Sequence, residues 1–191
     1  MWRQTNNMNE PDDMKLIQAY IAGDGKAFET LYYRYRKNLY GYLYNLLSGN
    51  EDDVDEIFEE TWIKVVDKLG TYRDEGKFSA WLFRVARNVF IDTERKRKNS
   101  CLTRTESDEL PEVPDWSNRP ERTMEEEDSS RVLKEALAEL PEEQREVFLL
   151  RQQSFSFKEI SEMQQCSINT VLGRMHYAVR NLKKLITARV I

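Results

Sequence analysis

An acidic, proline-containing stretch near the middle of the chain constrains the fold more than any other feature. Residues 106–128 read ESDELPEVPDWSNRPERTMEEED, with ten acidic residues against two arginines, and they hold three of the five prolines. Such a segment buries too little apolar surface to fold by itself, and its prolines interrupt helices. It predicts a flexible acidic linker, residues 99–128, between a larger domain, 12–98, and a smaller domain, 129–191.

Both domains are predicted to be helical. Apolar residues recur with a period near 3.6, alternating Val/Ile/Thr runs are absent, and the 191 residues include only seven glycines. A chain of this length can form two small domains, each with a modest core. We expect an all-α protein of two small helical domains, the C-terminal one a helix-turn-helix.

Several classes of function are disfavoured by what the sequence lacks. Cys101 and Cys166 are far apart and His176 is the only histidine, so we expect no disulfide, metal site or cofactor. No paired carboxylates accompany a glycine-rich phosphate loop, which disfavours an enzyme acting on nucleic acid. No apolar run reaches about 18 residues, so we expect a cytoplasmic protein without membrane insertion.

Positive charge is concentrated at the end of each domain, although the formal net charge is −5. Residues 77–98 read KFSAWLFRVARNVFIDTERKRK, and no acidic residue follows Met163. This distribution is typical of a protein that binds a phosphate backbone. The alternative is that both regions are merely solvated helix faces.

The first basic region predicts a helix with a core face and a nucleic-acid face. At 100° per residue, Leu82, Val85, Ala86 and Val89 fall opposite the cations. We expect Phe83 and Phe90 in the core, and the alternative for Phe78 and Trp81 is that they are core residues too. Aromatic rings beside cations suit unstacked bases, which offer a π-face and a phosphate. The candidate contacts, in this helix and the loop before it, are Tyr72, Arg73, Lys77, Phe78, Trp81, Arg84, Arg87, Asn88 and Arg95.

The preceding helix, residues 51–69, carries an acidic face opposite its apolar stripe. The stripe comprises Val54, Ile57, Phe58, Trp62, Val65 and Leu69. Ile63 falls among carboxylates, where a solvated face has no use for a branched hydrocarbon. This arrangement favours a protein interface that selects a basic partner, whereas the alternative is one ordinary exposed apolar residue.

The C-terminal domain has helix-turn-helix spacing. A short helix ends near Met163, a turn contains Gln165 and Cys166, and Ser167 caps a longer helix. The inward residues of that helix are Val171, Met175, Ala178, Leu182 and Leu185. The outward residues, Thr170, Arg174, Tyr177, Asn181 and Lys184, form a polar mixture suited to a major groove, although a plain helical hairpin has similar spacing.

These two halves together resemble a bacterial RNA polymerase sigma factor of the extracytoplasmic-function (ECF) group. FSAWLFRVARNVFIDTERKRK is similar to the second conserved region of that family. LPEEQREVFLLRQQSFSFKEISEM and CSINTV are similar to its fourth conserved region, and the order along the chain is the same. The resemblance covers nearly everything outside the linker.

The resemblance implies three binding surfaces and an anti-sigma factor as a further partner. Residues 56–69 would dock on the coiled coil of the largest subunit of core RNA polymerase through Glu56, Glu59, Glu60, Ile63 and Asp67. The loop 71–78 and Asn88 would capture a flipped base of the minus-ten element of promoter DNA. The helix-turn-helix from Phe157 to His176 would read the minus-thirty-five element, through Ser167, Asn169, Thr170, Arg174, Tyr177 and Lys184.

The sequence departs from the family pattern in the second helix of this motif. The family usually has a cation and a small polar residue where Leu172 and Gly173 stand, and an arginine is common at Tyr177. Fewer cations imply weaker binding by this domain alone, and Gly173 costs the helix about 1 kcal/mol relative to alanine unless DNA approaches closely.

A conventional regulator that binds duplex DNA unaided is an alternative to a sigma factor that requires core polymerase. The acidic linker is either a simple tether or a segment that masks the basic faces of the two domains.

Overall fold

A computed structural model describes residues 12–73, 77–100 and 124–190, in which the protein forms eight α-helices and no strand. The expected all-α class is confirmed. None of the described helices combines the length and apolar character needed to cross a membrane. The helices are α1 (Asp13–Ile21), α2 (Gly25–Leu46), α3 (Glu51–Leu69), α4 (Phe78–Ser100), α5 (Met124–Ala138), α6 (Glu142–Gln152), α7 (Phe157–Gln164) and α8 (Ile168–Val190).

Helices α1–α4 form the first unit, and local capping explains where α2 and α3 begin. The Asp24 side chain accepts a hydrogen bond from the backbone of Lys26 before α2, and Asn50 accepts one from Asp53 before α3. The predicted apolar stripe of α3 faces the core, where Val54, Ile57 and Val65 are fully buried. Phe83 and Phe90 of α4 are also buried, as expected.

Helices α5–α8 form the second unit, which contains the helix-turn-helix. A capping box begins α7: the Ser156 hydroxyl accepts from the backbone of Glu159, and the Glu159 carboxylate accepts from the backbone of Ser156. Gln165 adopts a left-handed conformation (φ 52°) and turns the chain into α8. Ser167 caps α8 by accepting from the Thr170 backbone at 3.1 Å.

The two units pack against each other and share apolar contacts. Helix α2 contacts α5 and α6, and α4 contacts α7. The Phe83 ring meets Phe155 of the second unit at 5.1 Å between centroids, and both side chains are buried. We call this packing the closed arrangement.

The helices extend into both ends of the predicted linker. Helix α4 continues to Ser100 and α5 begins at Met124, so residues 99–100 and 124–128 belong to helices. Residues 101–123 lie outside the described part of the chain.

Candidate interaction surfaces

The outer face of α3 presents an apolar residue within an acidic ring. Ile63 is 62% exposed, and the neighbouring Val66 is also partly exposed. Glu59 and Asp67 are exposed beside them. We call these four residues the α3 outer face. The sequence placed Ile63 there, and the structure agrees.

Two of the predicted α3 carboxylates already have basic partners. Glu60 pairs with Lys64 one turn away at 2.8 Å. Glu56 accepts from Arg97 of α4 at 3.0 Å, and Arg97 also pairs with Asp53. Burial acts to lower the pKa of Arg97, but the hydrogen bonds and charges of Asp53 and Glu56 raise it overall. These ion pairs between α3 and α4 were not predicted from the sequence.

An aromatic cluster supports the loop before α4. Its ring-centroid separations include 4.9 Å between Tyr72 and Trp81 and 5.6 Å between Phe78 and Trp81. Tyr72 and Trp81 are half-buried, but Phe78 is only 3% exposed. In the closed arrangement Phe78 therefore packs inside the cluster rather than presenting its face to a base.

Tyr35 completes the cluster from α2 and was not found from the sequence. Its ring lies 5.5 Å from that of Phe78, and its hydroxyl donates to Asp13 at 2.5 Å. Burial, reinforced by the hydrogen bond to Asp13, raises the pKa of Tyr35. The cluster is thus fixed from α1, α2 and α4 together.

The predicted DNA contacts of α4 and of the loop before it differ in how exposed they are. Arg73, Lys77, Arg84, Asn88 and Arg95 are exposed. Asn88 lines a groove of about 270 Å³ between α3 and α4, together with Lys64 and Lys68.

Arg87 is a correction to the predicted outward face. Its Nε donates to Glu146 of α6 at 2.6 Å, and its side chain is largely buried. Helical periodicity predicted correctly that Arg87 points away from the core of the first unit, but Glu146 of α6 lies on that side of α4.

Glu146 joins the two units through a buried carboxylate. It is 4% exposed; besides Arg87, it accepts from the Tyr42 hydroxyl at 3.3 Å and from Gln164 at 2.5 Å. Burial raises the pKa of Tyr42 well above its ordinary value, and the Glu146 charge adds to this effect. The sequence did contain one signal for this contact, because Glu146 is a carboxylate on the inward, apolar stripe of α6, beside Val147 and Leu150.

Arg174 is the second residue whose position differs from the predicted outward face. Its Nη1 donates to Gln164 at 2.7 Å, and its Nη2 lies 3.9 Å from Glu143. The side chain thus turns back onto α6 and α7 instead of pointing outward. Asn181 similarly donates to Gln144 of α6 at 3.0 Å. Both residues lie at the border of the core face, where the neighbouring helices can reach them.

The remaining predicted residues of the helix-turn-helix are exposed. Ser167 and Thr170 are exposed, and their hydroxyls hydrogen bond to each other at 2.9 Å. Arg180 stacks over the exposed Tyr177 ring at 4.7 Å from its centroid. Asn169 and Lys184 are also exposed.

Comparison with protein families matches both halves of the chain. Residues 31–100 match the family described as Sigma-70 region 2. Residues 130–182 match the family described as Sigma-70, region 4. The two matches cover most of the described residues and stand in the predicted order.

Curated relatives match over most of their length. The chain is 24% identical to the RNA polymerase sigma-H factor of Pseudomonas aeruginosa, covering 93% of this chain and 95% of the relative. It is 27% identical to the ECF RNA polymerase sigma factor SigW of Bacillus subtilis, covering 89% of this chain and 94% of the relative.

Solved structures share the helical fold. The sigma factor RpoE of Bartonella quintana, in complex with the anti-sigma factor NepR, superposes with a TM-score of 0.65 at 24% identity, covering 85% of this chain and 98% of RpoE. CnrH, in complex with the cytosolic domain of CnrY, gives a TM-score of 0.65 at 24% identity, covering 92% of this chain and 97% of CnrH.

Proposed function

The chain belongs to the ECF group of the sigma-70 family, whose members are transcription-initiation factors rather than enzymes, and we propose how its surfaces divide that work. The protein is a sigma factor that binds core RNA polymerase and directs promoter-specific initiation. Residues 12–98 act as region 2 and residues 129–191 as region 4. Its site of action is the cytoplasm, where it meets core polymerase.

The α3 outer face binds the coiled coil of the largest polymerase subunit. Ile63 supplies the apolar centre, and Glu59 and Asp67 select a basic partner. The exposure of Ile63 is the observation that carries the proposal, because nothing inside the described fold covers this hydrocarbon. Glu56 and Glu60 add negative charge at the edge while remaining paired to Arg97 and Lys64.

Region 2 contacts the minus-ten element through the loop before α4 and the exposed side of that helix. Tyr72 and Trp81 supply aromatic surface for an unstacked base, and Phe78 holds them in place from beneath. Phosphate and base-edge contacts come from the exposed polar residues Arg73, Lys77, Arg84, Asn88 and Arg95.

Region 4 contacts the minus-thirty-five element with the first turns of α8. The exposed Asn169 and Thr170 lie where a recognition helix reaches base edges, and Lys184 lies further along for phosphate contact. Arg174 acts indirectly, since it holds α8 against Gln164 and Glu143.

The closed arrangement cannot serve both promoter elements at once. The elements lie roughly two helical turns, about 70 Å, apart, whereas α4 and α7 are in contact. We propose that binding to polymerase separates the two units and exposes Arg87. The α3 outer face lies outside the contact between the units, so polymerase can bind before they separate.

An anti-sigma factor is a further proposed partner. The family resemblance supports it, and the RpoE relative was solved with such a protein. A binder that held the two units in the closed arrangement would keep Arg87 and Phe83 covered. Co-purification with the chain from its own cells is the direct test of this partner.

Transcription with purified components tests the main proposal. The chain added to core polymerase should give run-off transcripts from promoters that the chain alone does not bind. Tight binding of the isolated chain to promoter duplex, without stimulation of polymerase, would favour the conventional regulator instead. Ile63→Glu separates the two functions, because only a sigma factor needs the α3 outer face to find promoters.

A further inference from the structure

The recognition helix α8 exposes a branched hydrocarbon on its outer side. Leu172 is 43% exposed, whereas the adjacent Val171 is completely buried. The two side chains point in directions about 100° apart on the helix. Leu172 therefore lies outside the core face and near the beginning of α8, the part of a recognition helix that reaches base edges.

Gly173 lies next to it and is not required by the fold. A Cβ at this position would have nothing within 4 Å, and the residue lies inside a regular helix. Glycine in a helix interior costs about 1 kcal/mol relative to alanine. Neither the packing nor the backbone conformation of the described residues requires a glycine here, so its absent side chain matters most to a molecule that approaches α8 from outside.

The same surface carries no cation near the start of the helix. Residues 167–173 read SINTVLG, and Arg174 is turned back onto Gln164. The exposed neighbour Asn169 is polar and carries no charge. Phosphate attraction therefore contributes little here, and discrimination must come from uncharged contacts.

We propose that Leu172 contacts the C5 methyl group of a thymine in the minus-thirty-five element, with Gly173 allowing α8 to approach the groove closely. The thymine methyl is the apolar feature that the major groove displays, and it distinguishes T·A from the other pairs. The inference rests on the proposed role of region 4 and assigns one position of its specificity.

A protein partner fits this surface less well. Ile168 and Val179 are also exposed on this side of α8, and with Leu172 they form an apolar stripe on which a partner helix could pack. However, Gly173 gives such a partner no side chain to bury, and the polar residues Asn169 and His176 border the patch on the side of Gly173. Close backbone approach beside hydrogen-bonding side chains is what a groove requires.

The test uses holoenzyme assembled from the full chain and core polymerase. Duplexes with a randomised minus-thirty-five element are selected for binding, and each thymine of the preferred sequence is then replaced singly by deoxyuridine, which removes only the methyl. At one position the wild-type holoenzyme should lose about fourfold in affinity, the effect of one buried methyl. Holoenzyme with Leu172→Ala should show no loss there.

Val179→Ala is the matched control, because Val179 is an exposed aliphatic residue about two turns further along α8. It should keep the full sensitivity to deoxyuridine. Equal losses for wild type and Leu172→Ala at every thymine, or no sensitivity in wild type, would overturn the Leu172 contact while leaving region 4 as the reader of a selected sequence. Failure to select any minus-thirty-five sequence would overturn both the contact and the proposed role of region 4.

Gly173→Ala should change thermal stability and promoter affinity in opposite directions. The thermal midpoint of the free chain should rise by about 2–4 °C, since alanine favours the helix. Promoter affinity of the holoenzyme should fall about fivefold or more, as expected for an extra methyl in a tight contact. A rise in thermal midpoint with unchanged affinity would refute the close approach at Gly173.

Discussion

The α3 outer face and the DNA-facing surfaces differ in what already covers them. Ile63 is 62% exposed, with Glu59 and Asp67 beside it. By contrast, one of the predicted DNA contacts, Arg87, is paired with Glu146, and α4 lies against α7 of the second unit.

This difference indicates an order of events. A surface that is exposed in the closed arrangement can bind its partner without rearrangement, whereas a covered surface must first lose its internal contacts. We therefore expect polymerase binding to precede full promoter contact. We expect such a sigma factor to have little affinity for duplex DNA on its own, because separating its two units costs free energy and so lowers the apparent affinity.

The largest effect is expected at the exposed surface. Ile63→Glu should weaken binding to core polymerase by more than about a hundredfold, as for a central interface residue replaced by a charge. The fold should be retained, because the side chain lies outside the core. Ile21→Glu on α1 is the control, since Ile21 is a similarly exposed isoleucine. Binding to core polymerase is measured by fluorescence anisotropy, and equal affinities of the two variants would remove Ile63 from the interface.

The closed arrangement should weaken when the buried Arg87–Glu146 pair is lost. Arg87→Met leaves the Glu146 carboxylate buried without its cation and should destabilise the closed arrangement by about 3 kcal/mol. Urea unfolding and the radius of gyration from X-ray scattering report this change. Arg84→Met is the control, because Arg84 is exposed three residues earlier on α4. A compact Arg87→Met protein of unchanged stability would contradict the role assigned to the pair.

A smaller effect is expected at the start of α7. Burial acts to raise the pKa of Glu159, but hydrogen bonds with Ser156 and the Lys77 charge lower it below its ordinary 4.5. A carboxyl with a lowered folded pKa stabilises the protein above the unfolded pKa, and this stability is lost as the pH falls through the folded value. Glu159→Gln keeps a side-chain acceptor but removes the charge near the helix N-terminus, so it should cost about 0.3–1 kcal/mol at pH 7 and flatten the loss of stability below about pH 4.5.

Glu162→Gln serves as the control for that measurement, because Glu162 is exposed on the same helix. Unfolding free energies are compared between pH 7 and pH 3. If both variants follow the wild-type pH profile, the capping box does not depend on the charge of Glu159.

The smallest effect on the closed arrangement is expected from Lys77. Its amine lies 3.8 Å from Glu159 and its side chain is 70% exposed, so Lys77→Gln should change stability by less than about 0.5 kcal/mol. In the holoenzyme, loss of one phosphate contact should lower the salt dependence of promoter binding by about one. An unchanged salt slope would show that Lys77 makes no phosphate contact with promoter DNA.

Several residues show how far periodicity could predict the surfaces. The α3 stripe and the exposure of Ile63 follow from angles on one helix, so the sequence was sufficient for both. Arg87 and Arg174 were placed outward by the same reasoning, yet Glu146 and Gln164 cover them. A helical wheel reports direction on its own helix and contains no information about which other helix occupies that direction.

The sequence by itself determined the helical class, the division into two units, the helix-turn-helix and the family. These depend on local periodicity, capping residues and short motifs, which act between residues close in the chain. Only the tertiary structure decided that the units share a contact, because the Arg87–Glu146 pair joins residues 59 positions apart. Such a pair forms only where folding brings two helices together and removes water from both charges, and neither condition can be read from the neighbouring residues.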